Sequence, residues 1–216
     1  MSFTVKVCGV TRHEDAAAAL ALGADFIGVN AWERSPRFVA GGALPALLAA
    51  IPAGRRVCVD VQPDDNKLLA AQAAGADFFQ IHFDPFAERA RECAEAWAAR
   101  VGRGRLWLAP RVAPEDAWPR WVAELADTLL FDGHRAGQFG GTGRTADGAR
   151  FRQLFAEYPQ TRWILAGGLG EGTVAAAWEN GARFFDLNSG VEDSPGVKSA
   201  AKLARVLAVL RGCAAA

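Results

Sequence analysis

A thiol, several carboxylates and an imidazole fall at matching places in this 216-residue chain, each near the end of a short apolar run. Lys6 and Cys8 interleave with Val5 and Val7, Cys58 and Asp60 with Val57 and Val59, and Gln80 and His82 with Phe79 and Ile81. Asp132 shares the parity of Leu130 and opposes Leu129 and Phe131, while Asp186 and Asn188 oppose Phe185 and Leu187. Alternate residues of a strand project from opposite faces, so each run closes one face with a polar or reactive group. Burying such groups without partners costs about 1–3 kcal/mol each, and five cases at one end argue for a site. Thiol, carboxylate and imidazole are the side chains that take and deliver protons in catalysis. Glycines stand beside them. Gly167 and Gly168 follow one run, Ser189 and Gly190 another, and Gly140-Gly141-Thr142-Gly143 comes after Asp132. Glycine lets backbone N–H groups approach an anion closely, so the first two loops are candidates for holding a phosphate. The third is a candidate lid over bound substrate.

The elements that must position these groups announce themselves by repetition. Gly23-Ala24-Asp25-Phe26-Ile27 returns as Gly75-Ala76-Asp77-Phe78-Phe79 and as Gly181-Ala182-Arg183-Phe184-Phe185, with a weaker copy at Leu125-Ala126-Asp127-Thr128-Leu129. The marker alanines 24, 76, 126 and 182 lie 52, 50 and 56 residues apart. Each copy reads as the end of a helix, a turn and an apolar strand. Strands are expected over 5–10, 26–30, 56–61, 78–82, 106–112, 128–132, 163–166 and 184–188. They are short, rich in Val, Ile, Leu and Phe, and bounded by Gly, Pro or Asp, as buried parallel strands are. Helices are expected over 14–22, 43–50, 66–74, 86–100, 115–124, 147–157, 173–180 and 199–210, the first opened by a capping box at Thr11 and Glu14. Eight strand–helix units in a fourfold repeat predict an α/β fold, a single (β/α)8 TIM barrel domain over 1–216. In that fold the chemistry lies at the carboxyl ends of the strands.

Composition narrows the function classes. Lys plus Arg and Asp plus Glu both number 24, a net charge of zero, which offers nothing to nucleic acid or an anionic membrane. No uncharged apolar run approaches the roughly 20 residues that span a bilayer. Cys8, Cys58, Cys93 and Cys213 have no metal-type spacing and suit free thiols in the cytoplasm.

Lys6-Val7-Cys8-Gly9-Val10-Thr11, Ser35-Pro36-Arg37-Phe38-Val39 and Gln80-Ile81-His82 resemble, in order, three motifs of the phosphoribosylanthranilate isomerase family. Asp132 with its glycine loop, Leu165-Ala166-Gly167-Gly168-Leu169, Asn188-Ser189-Gly190-Val191-Glu192 and Ser194-Pro195-Gly196-Val197-Lys198 extend that resemblance over nearly the whole chain. The resemblance implies an isomerase of tryptophan biosynthesis that performs an Amadori rearrangement of N-(5-phosphoribosyl)anthranilate by acid–base catalysis, with no metal or cofactor. It implies that Cys8 is the general base and Asp132 the general acid. Arg37 would receive the anthranilate carboxylate, and the glycines after the seventh and eighth strands would hold the phosphate. His82, Gly141, Gly167, Gly168, Asp186, Ser189 and Gly190 complete the expected binding set. The partner is a small phosphorylated substrate, and the protein is expected to be cytoplasmic, a monomer or a homodimer.

The sequence departs from the family at Asn30-Ala31-Trp32-Glu33, at Asp60 and Gln62, at Phe83, at Ala146-Asp147-Gly148 and at Asn188. These changes surround the expected pocket rather than the acid–base pair. Trp32 is placed to stack on an aromatic substrate. Asp60 is a candidate partner for Lys6 inside the barrel, and Lys6 a candidate for lowering the pKa of Cys8. Two rival functions use the same residues: a phosphosugar isomerase acting on a different aminated ribose phosphate, and a phosphate-binding barrel without catalysis.

Overall fold

The computed structural model describes residues 1–132 and 147–216, so Gly141 and the rest of the glycine loop after Asp132 lie outside the described residues. Eight parallel strands close into a barrel in chain order: β1 Thr4–Val7, β2 Phe26–Asn30, β3 Arg56–Val61, β4 Phe78–Phe83, β5 Leu106–Pro110, β6 Thr128–Phe131, β7 Arg162–Leu165 and β8 Phe184–Leu187. Closure comes from β1 against β8, with Thr4 opposite Phe184 and Val7 opposite Leu187. The helices between and after them are α1 His13–Leu22, α2 Leu44–Ala49, α3 Asp65–Ala73, α4 Ala90–Val101, α5 Val122–Leu125, α6 Gly148–Glu157, α7 Val174–Glu179 and α8 Ala200–Ala215. A hairpin, β9 Glu192–Ser194 with β10 Val197–Lys198, interrupts the connection from β8 to α8.

Two apolar clusters mark the two faces of the sheet. The larger joins Val5, Val7, Ile27, Phe79, Ile81, Leu129, Phe185 and Leu187 to helix residues such as Leu47, Leu203 and Leu207. The smaller fills the lumen with Val57, Val59, Trp107, Leu130, Ile164 and Phe184. At its floor the rings of Phe26, Phe78, Trp107 and Phe184 meet with centroids 5.0–5.6 Å apart. The Arg162 guanidinium caps them, 4.6 Å from the Phe184 centroid. The barrel is a packed body with an open upper mouth.

Four local expectations are corrected. On β3 it is Val57 and Val59 that enter the lumen, while Cys58 belongs to the helix-facing cluster. Asp60 shares that outward parity, so it is not a partner for Lys6; its Oδ1 accepts a hydrogen bond from the N–H of Val61. Alternation within a strand fixes two faces but not which is inward. Thr11 makes no capping box: Arg12 is the N-cap of α1 without a side-chain bond, and the Thr11 hydroxyl donates to Gly196 O at 2.7 Å. The helix expected over 115–124 shrinks to Val122–Leu125, because Pro119 lacks an N–H and disfavours helical geometry in Trp118 before it.

Candidate active site

A cleft of about 430 Å³ opens at the carboxyl ends of the strands. Cys8, Arg37, His82, Asp132, Gly167, Gly168, Asp186 and Ser189 all line it. Of the expected residues within the described chain, Gly190 alone is absent from the wall. It has a different use: a Cβ there would overlap Leu169 O, so glycine lets the loops after β7 and β8 come together. Gly167 and Gly168 have φ of 90° and 62°, a backbone that a side chain would strain.

Beneath the cleft lies a buried ion pair. Lys6 is fully buried, and its Nζ donates to both carboxylate oxygens of Asp186 at 2.9 and 2.8 Å. Gly28 on β2 makes the room: a Cβ there would lie 2.8 Å from Lys6 Cε and 3.0 Å from Cys8 Sγ. Burial opposes the lysine's charge, but Asp186 and Cys8 outweigh it and leave its pKa raised. Asp186 therefore braces the lumen while still lining the cleft. For Cys8 the balance falls the other way. Burial and the Asp186 charge push its thiol up, and Lys6 and Lys198 only partly offset them. The expectation that Lys6 would make Cys8 acidic fails because burial opposes the thiolate first, and Asp186 sits against the same lysine.

His82 is pulled down to about 4, by burial first and by the Lys6 charge second, so its imidazole is neutral at physiological pH. Gln80 Nε2 lies 2.9 Å from His82 Nε2, so that ring nitrogen accepts when the ring proton is on Nδ1. Trp32 joins the wall, with the guanidinium of Arg34 5.4 Å from its ring centroid. Arg37 is held by Glu192, a residue whose place in the site the sequence alone does not reveal: Nε donates to Oε1 at 2.8 Å and Nη2 to Oε2 at 2.5 Å. Burial works against the Glu192 charge, but bonds from Arg37 and Lys198 hold its carboxyl below the usual range. The sequence signal for this pair was Pro195-Gly196 between Glu192 and Lys198, a hairpin turn that sets two opposite charges side by side.

The site thus joins a thiol just after β1, an imidazole on β4 and a carboxylate just after β6 with cationic and glycine-rich loops, groups of the kinds that acid–base chemistry on an anionic ligand uses. Residues 5–209 match the family model described as N-(5'phosphoribosyl)anthranilate (PRA) isomerase. The N-(5'-phosphoribosyl)anthranilate isomerase of Azorhizobium caulinodans is 39% identical, with 100% of this chain and 93% of that protein covered. Its counterpart in Zymomonas mobilis is 35% identical, covering 98% of this chain and 99% of that one. The crystal structure of phosphoribosyl anthranilate isomerase from Thermus thermophilus superposes with a TM-score of 0.80 at 32% identity, covering 97% of this chain and 98% of that one. This chain belongs to the N-(5'-phosphoribosyl)anthranilate isomerase family.

Proposed function

We propose that the protein converts N-(5-phosphoribosyl)anthranilate into 1-(2-carboxyphenylamino)-1-deoxyribulose 5-phosphate in tryptophan biosynthesis, with Cys8 and Asp132 as its acid–base pair. The observation that carries the assignment is the wall of a single cleft, which Cys8, just after β1, and Asp132, just after β6, both line. Asp132 protonates the furanose ring oxygen. The bond from that oxygen to C1' breaks, and the nitrogen lone pair forms an iminium. The Cys8 thiolate takes the proton from C2', giving an enaminol. Protonation at C1' and loss of the 2'-hydroxyl proton then leave the ketone. Substrate and product are isomers, so no external oxidant or reductant enters. The iminium cation, formed close to Sγ, favours the thiolate that burial disfavours in the free protein.

Arg37 receives the anthranilate carboxylate, Trp32 stacks on its ring, and the neutral His82 and Asp186 meet sugar hydroxyls. Gly167, Gly168 and Ser189 form the phosphate end, where backbone N–H groups can reach the anion, and Gly190 lets the two loops close on it. Gly141 belongs to the same proposal as a substrate-binding residue. The chain acts as one cytoplasmic domain. The test is conversion of substrate generated in situ, followed by fluorescence loss with the product identified chemically, since the substrate also hydrolyses unaided. Cys8→Ala and Asp132→Asn are expected to lose about 10²–10⁴ in turnover. Native turnover in Cys8→Ala would remove the base assignment.

A further inference from the structure

Arg37 does not stand alone at the rim. Glu192 occupies its Nε and Nη2, leaving Nη1 outside that pair. Glu192 is itself bracketed, because Lys198 Nζ donates to its Oε1 at 2.6 Å and the Gly196 N–H donates to the same atom at 3.2 Å. Lys198 also donates to Asn188 Oδ1 at 2.9 Å, and Asn188 lines the cleft. The backbone is built to hold this assembly. Glu192 and Lys198 are paired across the β9–β10 hairpin. The hairpin is pinned to the first loop by Thr11 on Gly196 O, and to α1 by Lys198 N–H on Asp15 Oδ2. Gly9 has φ of 68°, and a Cβ there would overlap Arg37 Cδ, so the arginine crosses directly over the backbone beside Cys8.

A carboxylate paired only with Arg37 would cancel its charge and compete with any anionic ligand. Here two cations share one carboxylate, and one positive charge is left over. We infer that Glu192 and Lys198 are positioning residues that fix the Arg37 guanidinium with Nη1 toward the cleft and keep it net cationic, setting the selectivity for substrates that carry a carboxylate on the aryl ring. Glu192 supplies orientation, and Lys198 supplies the compensating charge. This rests on the proposal that Arg37 receives that carboxylate.

The test compares two inhibitors, the borohydride-reduced product and the same compound without its carboxyl group, as a ratio of inhibition constants. Both carry the phosphate, so the ratio isolates the carboxylate. Arg37→Ala is expected to bring the ratio close to one. Lys198→Gln is expected to lower it about tenfold, as for removing one charge about a nanometre from another near a protein surface. KM for the true substrate rises in parallel. Lys198→Met makes the same charge change in a form suited to a buried site, should the glutamine variant not fold, and a melting curve accompanies each protein. A native ratio in folded Lys198→Gln or Lys198→Met, with the ratio lost in Arg37→Ala, overturns this inference and leaves the Arg37 proposal standing. A native ratio in Arg37→Ala overturns both.

Discussion

Replacing Lys6 by Met tests the buried pair at the heart of the barrel. The methionine fills similar space but leaves Asp186, 7% exposed, without the cation that now takes both its oxygens. A carboxylate stranded at that depth escapes its charge by taking a proton. Protonating a carboxyl of ordinary pKa, about 3.9, at pH 7 costs about 4 kcal/mol, and this caps the loss. The figure agrees with the roughly 3–5 kcal/mol seen when one member of a buried pair is removed. The penalty then depends on pH in a definite direction. In the variant the folded state holds a proton that the unfolded state releases, so stability falls as pH rises, and the loss shrinks to about 1.5 kcal/mol at pH 5. Urea unfolding of native and Lys6→Met proteins at pH 5, 6 and 7 measures it. Adding Asp186→Leu to the variant should recover most of the stability at pH 7 and abolish the pH dependence. A loss that is equal at all three pH values, or unrelieved in the double variant, would refute the reasoning.

Because burial and Asp186 raise the Cys8 pKa, alkylation of Cys8 by iodoacetamide should climb about tenfold per pH unit through pH 9, and a plateau below pH 8 would contradict this. Exposed Cys93, followed by mass spectrometry in the same sample, provides the comparison. His82 contributes in the opposite pH range: an unfolded imidazole takes its proton near 6.5 and the folded one only near 4. Stability present above pH 6.5 should therefore decline as pH falls toward 4, by up to about 3 kcal/mol, and the decline should be absent in His82→Gln. Gly190→Ala should push apart the loops after β7 and β8 and raise the inhibition constant of inorganic phosphate at least about tenfold, as for losing one good anion contact.

Much of this was legible before the fold was known. The fourfold repeat forecast all eight strands and their order, because each strand is a short buried run whose ends are set by glycine and charge. Lumen parity was right on β1, β4, β6 and β8 and inverted on β3, where Cys58 tolerates the helix side as well as the lumen and Asp60 sits at the strand's end. The cleft residues were found because Cys8, His82, Asp132 and Asp186 break apolar runs at a fixed place. What stayed hidden was pairing. Lys6 could have met Asp60 or Asp186, and which is chosen depends on the closure of β1 against β8, set 180 residues apart. Likewise the sequence displays Arg37, Glu192 and Lys198 as separate surface-type charges. Only the hairpin and the missing Cβ of Gly9 bring them into one assembly.

The aromatic floor of the barrel has a consequence for isotopes. With Phe26, Phe78, Trp107 and Phe184 packed edge to face and stacked, and Arg162 across them, the lumen is plugged at this end. Among the described residues, the cleft that Cys8 lines opens at the carboxyl ends of the strands, away from this floor. If Cys8 is the base, as proposed, a hydrogen it lifts from the sugar beneath a bound ligand should exchange slowly with bulk solvent until product leaves. Label placed on C2' should then be retained in the enclosed site, with part of it returned to carbon, rather than washed out into the medium.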